Sequence, residues 1–149
     1  MAIRVVRLGM PRTPDEGLRL GTVRRPPHGV RKQDWGRRDY FDVWVPELAP
    51  SENLRAWAFA EPLTPSRWAA YKRRYLAEMR RPQAQRLIVL LAALSLQTNF
   101  SVGCYCEDET HCHKSLLRTL LAEQGAMIVS SDAGLPCSTT HESSFVEEK

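Results

Sequence analysis

The sequence predicts an α/β fold: a single compact domain whose partly parallel, Rossmann-like sheet is flanked by helices. Short β-branched segments alternate with longer segments whose apolar residues recur at helical spacing, the pattern of strand–helix layering. The 149 residues, 43% of them hydrophobic, suit one core and are too few for two comfortable ones. Charged residues make up 26% with a net charge of only +4, which argues against an intrinsically disordered chain.

Ile3 to Leu8 is apolar and β-branched and reads as the first strand. Arg4 and Arg7 interrupt it, so it does not read as a signal peptide. Pro11, Pro14 and Gly17 break the chain into a loop before a second strand, Leu18 to Val23, weakened by Gly21. Pro26-Pro27-His28-Gly29 ends that strand with turn chemistry. Tyr40 to Val45, aromatic and β-branched, predicts a third strand that stops at Pro46. Ser51 can cap a short helix from Glu52 to about Phe59.

The clearest helix follows. Thr64 is its N-cap, Pro65 suits the first helical position, and Trp68, Tyr71, Tyr75, Leu76 and Met79 form the inner stripe. Pro82 opens another helix through Leu87, Ile88, Leu90, Leu91 and Leu94. Phe100 to Cys104 predicts a buried strand, and a polar loop leads to a last helix from about His113 to Gln124. Its inner stripe is Leu116, Leu117, Leu120 and Leu121, and Gly125 stands where a C-terminal cap belongs. Met127 to Val129 reads as a last short strand. The domain is therefore expected over 1–129, with 130–149 a polar, acidic and mobile tail.

No uncharged apolar run reaches the roughly 18 to 20 residues that span a bilayer; the longest, Leu87 to Leu96, is half that. Four cysteines are too few for a disulfide scaffold, so a cytoplasmic protein without a membrane partner is expected. Charge is uneven along the chain. Residues 1–100 carry 18 Lys+Arg against 9 Asp+Glu, and residues 101–149 carry 3 against 8. The basic excess gathers in Arg24-Arg25-Pro-Pro-His28-Gly-Val-Arg31-Lys32 and in Tyr71-Lys-Arg-Arg-Tyr75 with Arg80 and Arg81. Such clusters attract phosphates, and loops set on a rigid sheet are where binding groups collect.

The most specific stretch is Cys104-Tyr-Cys106-Glu-Asp-Glu-Thr-His111-Cys112-His113-Lys114, between a strand and a helix. Three readings stand side by side. Cys104, Cys106 and Cys112 with His111 or His113 supply soft ligands for zinc, although the usual Cys-x₂-Cys knuckle is absent. Cys112 at a helix entry, with His113 and Lys114 beside it, is a reactive thiol with a proton carrier, or an anion site. Cys112-x₅-Arg118 matches a phosphatase cradle in spacing alone, because the intervening residues lack glycine. In the third reading the cysteines are buried apolar residues and His113 simply fixes a loop.

Glu16-Gly-Leu-Arg19, Arg24-x-x-Pro27-x-Gly29-Val-x-Lys32, Asp42-Val-Trp-Val-Pro-Glu-Leu-Ala-Pro-Ser51 and the late Cys112-His113-Lys114 together resemble the domain-of-unknown-function 488 family, in its YeaO-like branch. The resemblance runs over about residues 3 to 125. It implies a compact α/β fold and a polar cluster shared by the early loop and the late turn, but no settled activity. Arg24, Pro27, Gly29, Lys32 and His113 match its motifs. His28 stands where that branch tends to have Arg, and some members lack the cysteines, so the resemblance points to His113 and the basic loop.

The leading expectation is an anion-binding cleft for a phosphorylated small molecule or nucleotide. In it Arg24, Arg25, His28, Lys32 and Lys114 converge on the start of the last helix. Cys112 and His113 are its candidate catalytic residues, and no cofactor is required. A non-catalytic nucleic-acid-binding module is one alternative. The other is a zinc-stabilised domain using Cys104, Cys106, Cys112 and His113.

Overall fold

The computed structural model describes residues 1–108 and 110–129. The expected tail, 130–149, lies outside the described residues. Four strands, β1 (Ile3–Arg7), β2 (Leu18–Gly21), β3 (Val43–Trp44) and β4 (Phe100–Cys104), form one sheet in the order β1-β4-β2-β3. Every pairing is parallel, where the sequence led us to expect a partly parallel sheet. Four helices complete the fold: α1 (Glu52–Ala60), α2 (Pro65–Glu78), α3 (Pro82–Leu94) and α4 (His113–Glu123). Met127 to Val129 adds a single parallel bridge, Ile3 to Ile128, outside β1.

Local chemistry sets the helix ends. Ser51 Oγ accepts from the Leu54 amide and Thr64 Oγ1 from the Arg67 amide, each satisfying a first-turn donor. Pro65 and Pro82 open α2 and α3 at a cost-free position, and Gly125, at φ +88°, closes α4 in the left-handed conformation.

The last strand lies between the first two, so Val102 is in register with Val5 on one side and Leu20 on the other. That face, with Ile3 and Phe100, shares one apolar cluster with side chains of all four helices, among them Leu54, Tyr75, Ile88 and Leu117. The opposite face is covered by irregular segments. Arg19 and Ser101, paired in register, converge on the Glu16 carboxylate. The ring of Phe41 covers Gly21 so closely that an added Cβ would meet it at 2.3 Å.

The second strand stops at Gly21, short of the expected Val23, and two further elements differ from expectation. The third strand covers only Val43–Trp44, not Tyr40 to Val45. Phe41 is buried against Gly21, and the Asp42 carboxylate accepts from the Arg12 guanidinium and the Arg19 amide, so side-chain demands replace regular pairing there. In α3, Ala84, Ile88, Leu91 and Ala92 are buried while Leu90 and Leu94 face solvent. A nearly continuous apolar run cannot show which side meets the sheet. No described helix is long and apolar enough to cross a membrane.

Candidate functional site

Parallel strands deliver their carboxyl ends to one edge, and here β2, β4 and the first turn of α4 meet. Cys112 is the N-cap of α4, and its side chain makes no capping hydrogen bond. His113, the first helical residue, is buried and its Nε2 lies 2.6 Å from the Thr22 carbonyl oxygen. A carbonyl only accepts, so Nε2 carries the proton and Nδ1 presents its lone pair. Nδ1 stands 3.7 Å from Cys112 Sγ. Burial holds the His113 pKa below its ordinary value and so favours the neutral ring.

Three free thiols share this corner. The sulfurs of Cys104, Cys106 and Cys112 all lie within 4.8 Å of one another, close enough to hold one metal ion. Cys104 and Cys112 are buried, with sulfurs 3.0 Å apart, and Cys106 is half-buried. The neighbouring thiols of Cys104 and Cys112 hold the Cys106 pKa well below the ordinary range, aided by the Lys114 charge. The same contact with Cys106 pushes Cys104 up to about 11, and Cys112 is raised by Cys104 and Cys106. Of the three, Cys106, the most open, is the thiol whose ionised form these contacts favour. Lys114, itself buried, donates from Nζ to the Cys106 carbonyl at 3.0 Å.

A cavity of about 760 Å³ opens in front of the cluster. Cys104, Cys106, Cys112 and His113 form one wall, Tyr71 of α2 borders it, and Ala58 to Leu63 at the end of α1 form another. The rest of the lining mixes apolar residues, Val23 and Pro50 among them, with charged ones, Arg24, Arg25, Arg55 and Asp108. Burial pushes the Tyr71 hydroxyl well above its ordinary range, so it is a neutral donor at this wall. His111 stands at the rim, with Nδ1 3.2 Å from the Asp108 carboxylate and its ring edge-on to Trp68.

The structure brings Arg24, Arg25, Cys112 and His113 to this one cavity. It does not bring His28 or Lys32 there: both are exposed and neither lines the cavity, nor does Lys114. The two arginines arrive already engaged. The Arg24 guanidinium donates to the carbonyls of Pro46, Ala49 and Pro50, fixing the segment before α1. Arg25 pairs with Glu52 on the surface. The sequence reading assigned the reactive thiol to Cys112 alone. It overlooked Cys106 in that role, although Cys104-x-Cys106 places both on one side of an extended chain. Thr22 as the anchor of His113, and Arg55 and Glu61 in the lining, had no sequence signal.

Residues 3–125 match the model of the active DUF488-N3 subclade. The chain belongs to the DUF488 family. Among curated relatives of this DUF488 protein are uncharacterised proteins of Mycobacterium bovis and Mycobacterium tuberculosis, each 34% identical over 77 residues. The aligned stretch is 52% of this chain and 59% of theirs, so the chain spans little over half the length of those relatives. No solved structure matches the chain.

Proposed function

We propose that this DUF488 protein is a thiol-dependent oxidoreductase domain that cleaves the disulfide bond of a small, mainly apolar molecule held in the cavity. The supporting observation is the half-buried Cys106 sulfur facing that cavity with two further sulfurs within 4.8 Å. Cys106, as thiolate, attacks one substrate sulfur. A mixed disulfide forms, the substrate S–S bond breaks, and the first substrate thiol leaves with a solvent proton. Cys112, whose proton Nδ1 of His113 is placed to accept, then attacks the Cys106 sulfur. The second substrate thiol leaves with that proton, and two protein thiols have become one disulfide. A low-molecular-weight dithiol returns the protein to its starting state.

Sulfur rather than an anion carries this reading because Arg24 and Arg25 are engaged with carbonyls and Glu52. On α2, Arg67 and Arg74 lie over the Trp57 ring at 4.0 and 4.4 Å, so these two guanidiniums already have a partner within the chain. The test uses reduced full-length protein, stripped of metal by a chelator, and an aromatic disulfide that releases a coloured thiolate, in a Cys137→Ser background that removes the fourth cysteine, which lies outside the described residues. The expected result is a fast phase releasing two coloured thiolates per chain. It is lost in Cys106→Ser and halved when Cys104 and Cys112 are both replaced by Ser. An unchanged fast phase in Cys106→Ser overturns the proposal.

A further inference from the structure

We infer that Cys104, Cys106, Cys112 and Nδ1 of His113 form a tetrahedral site for one soft divalent cation of the zinc class. The inference uses the same side chains as the proposed thiol chemistry but does not rest on it, because metal loading and disulfide exchange exclude one another.

Distances come first. Zinc–sulfur bonds of about 2.3 Å and zinc–nitrogen bonds of about 2.0 Å set tetrahedral edges of roughly 3.8 Å between sulfurs and roughly 3.5 Å between sulfur and nitrogen. The Cys104 and Cys112 sulfurs are 3.0 Å apart, all three fall within 4.8 Å, and Nδ1 is 3.7 Å from Cys112 Sγ. The sulfur separations bracket their edge and Nδ1 meets its own at Cys112; the three sulfurs alone lie mutually within 4.8 Å, so the other two thiols turn toward Nδ1 on loading.

The outer contacts fit as well. A metal-bound imidazole nearly always donates its other N–H to a carbonyl or carboxylate, which fixes both tautomer and ring plane. His113 does this through Thr22, and the lone pair it leaves bare is the one nearest the sulfurs.

A second observation concerns charge. Lys114 is buried, 4% exposed, and its ammonium has one hydrogen-bond partner among the described residues, the neutral Cys106 carbonyl. A buried cation needs a compensating anion. Three thiolates around a divalent ion carry one net negative charge, and Lys114 sits on the backbone of one of those ligands. The centre and the ammonium neutralise each other.

Cobalt(II) is the probe, added to reduced, metal-stripped full-length protein without a His tag. One ion per chain is expected, with the visible bands of tetrahedral cobalt, a thiolate-to-cobalt charge-transfer band, proton release on binding, and displacement by zinc. Cys106→Ser should lower the charge-transfer intensity by about one third and weaken binding, while Cys137→Ser changes neither. Lys114→Gln should weaken binding about 10-fold or more, the scale of a lost outer-shell partner. His113→Gln should weaken binding and shift the visible bands; where it does not fold, Cys106→Ser decides. An octahedral spectrum, no saturable binding, or a Cys106→Ser titration identical to that of the unsubstituted chain overturns the site. A fast disulfide phase without cobalt binding removes this site and leaves the thiol chemistry standing; cobalt binding without the fast phase does the reverse.

Discussion

The Nε2–H of His113 donates to the carbonyl oxygen of Thr22 at 2.6 Å, joining the first residue of α4 to the end of β2 across 91 positions. This bond decides which imidazole nitrogen faces the sulfurs. His113→Leu leaves a buried carbonyl without its donor and should cost about 1–3 kcal/mol. His113→Gln, which keeps an N–H, should recover part of that loss. Urea unfolding monitored by circular dichroism measures both; equal stability of the Leu variant and the parent would refute the assignment.

Arg24 and Arg25 are neighbours with opposite expected behaviour. Arg24→Ala strips donors from three carbonyls that hold the segment entering α1, with a loss of about 1–3 kcal/mol. Arg25→Ala removes an exposed pair with Glu52 and should leave the unfolding midpoint where it was. Thermal unfolding of the two variants side by side separates a structural arginine from a surface one.

Acid stability should depend on Glu16. Burial pushes its carboxyl up, but hydrogen bonds from Arg19 and Ser101 together with the Arg19 charge outweigh this, and the net pKa lies below the ordinary value. A folded-state pKa that is depressed contributes stability above the unfolded value, and the contribution disappears as pH falls through the folded value. Asp42, lowered by Arg12 and the Arg19 amide against its own burial, acts in the same direction. Urea midpoints should therefore hold near neutrality and fall below the ordinary carboxylate range. Glu16→Gln, which leaves Arg19 buried and unpaired, should cost about 3–5 kcal/mol at pH 7 and flatten that acid limb. An acid limb as steep as the parent's would show that Glu16 does not drive it.

Gly21→Ala tests the loop-covered face of the sheet. The new methyl would sit 2.3 Å from the Phe41 ring, which is itself fully buried, so the covering segment must shift. A loss of about 1–3 kcal/mol is expected. Gly21→Ala combined with Phe41→Leu should be less destabilised than the two single changes added together, a coupling that a double-mutant cycle reads directly.

Much of the fold was legible because its signals are local. Ser51, Thr64, Pro65, Pro82 and Gly125 act within a turn of where they stand, and the α2 stripe needs only its own spacing. The run Leu87 to Leu94 was less so, since uniform apolarity carries no direction until a sheet is there to meet one side. Phe41 and Asp42 shortened β3 through partners 20 and more residues away, which no window on the sequence contains.

The candidate site divides in the same way. From the sequence by itself come the strand ending at Cys104, the helix starting at His113, and the short turn that keeps three cysteines and a histidine together. Tertiary structure alone decided that β4 enters between β1 and β2, which sets Thr22 beside His113 and aims Nδ1 at sulfur. It also decided that Arg24 spends its donors on backbone carbonyls while Cys106, not Cys112, is the most open sulfur at the cavity. The physical reason is common to all of these. Hydrogen bonds and burial depend on which distant groups arrive at the same place, and chain spacing fixes only near neighbours.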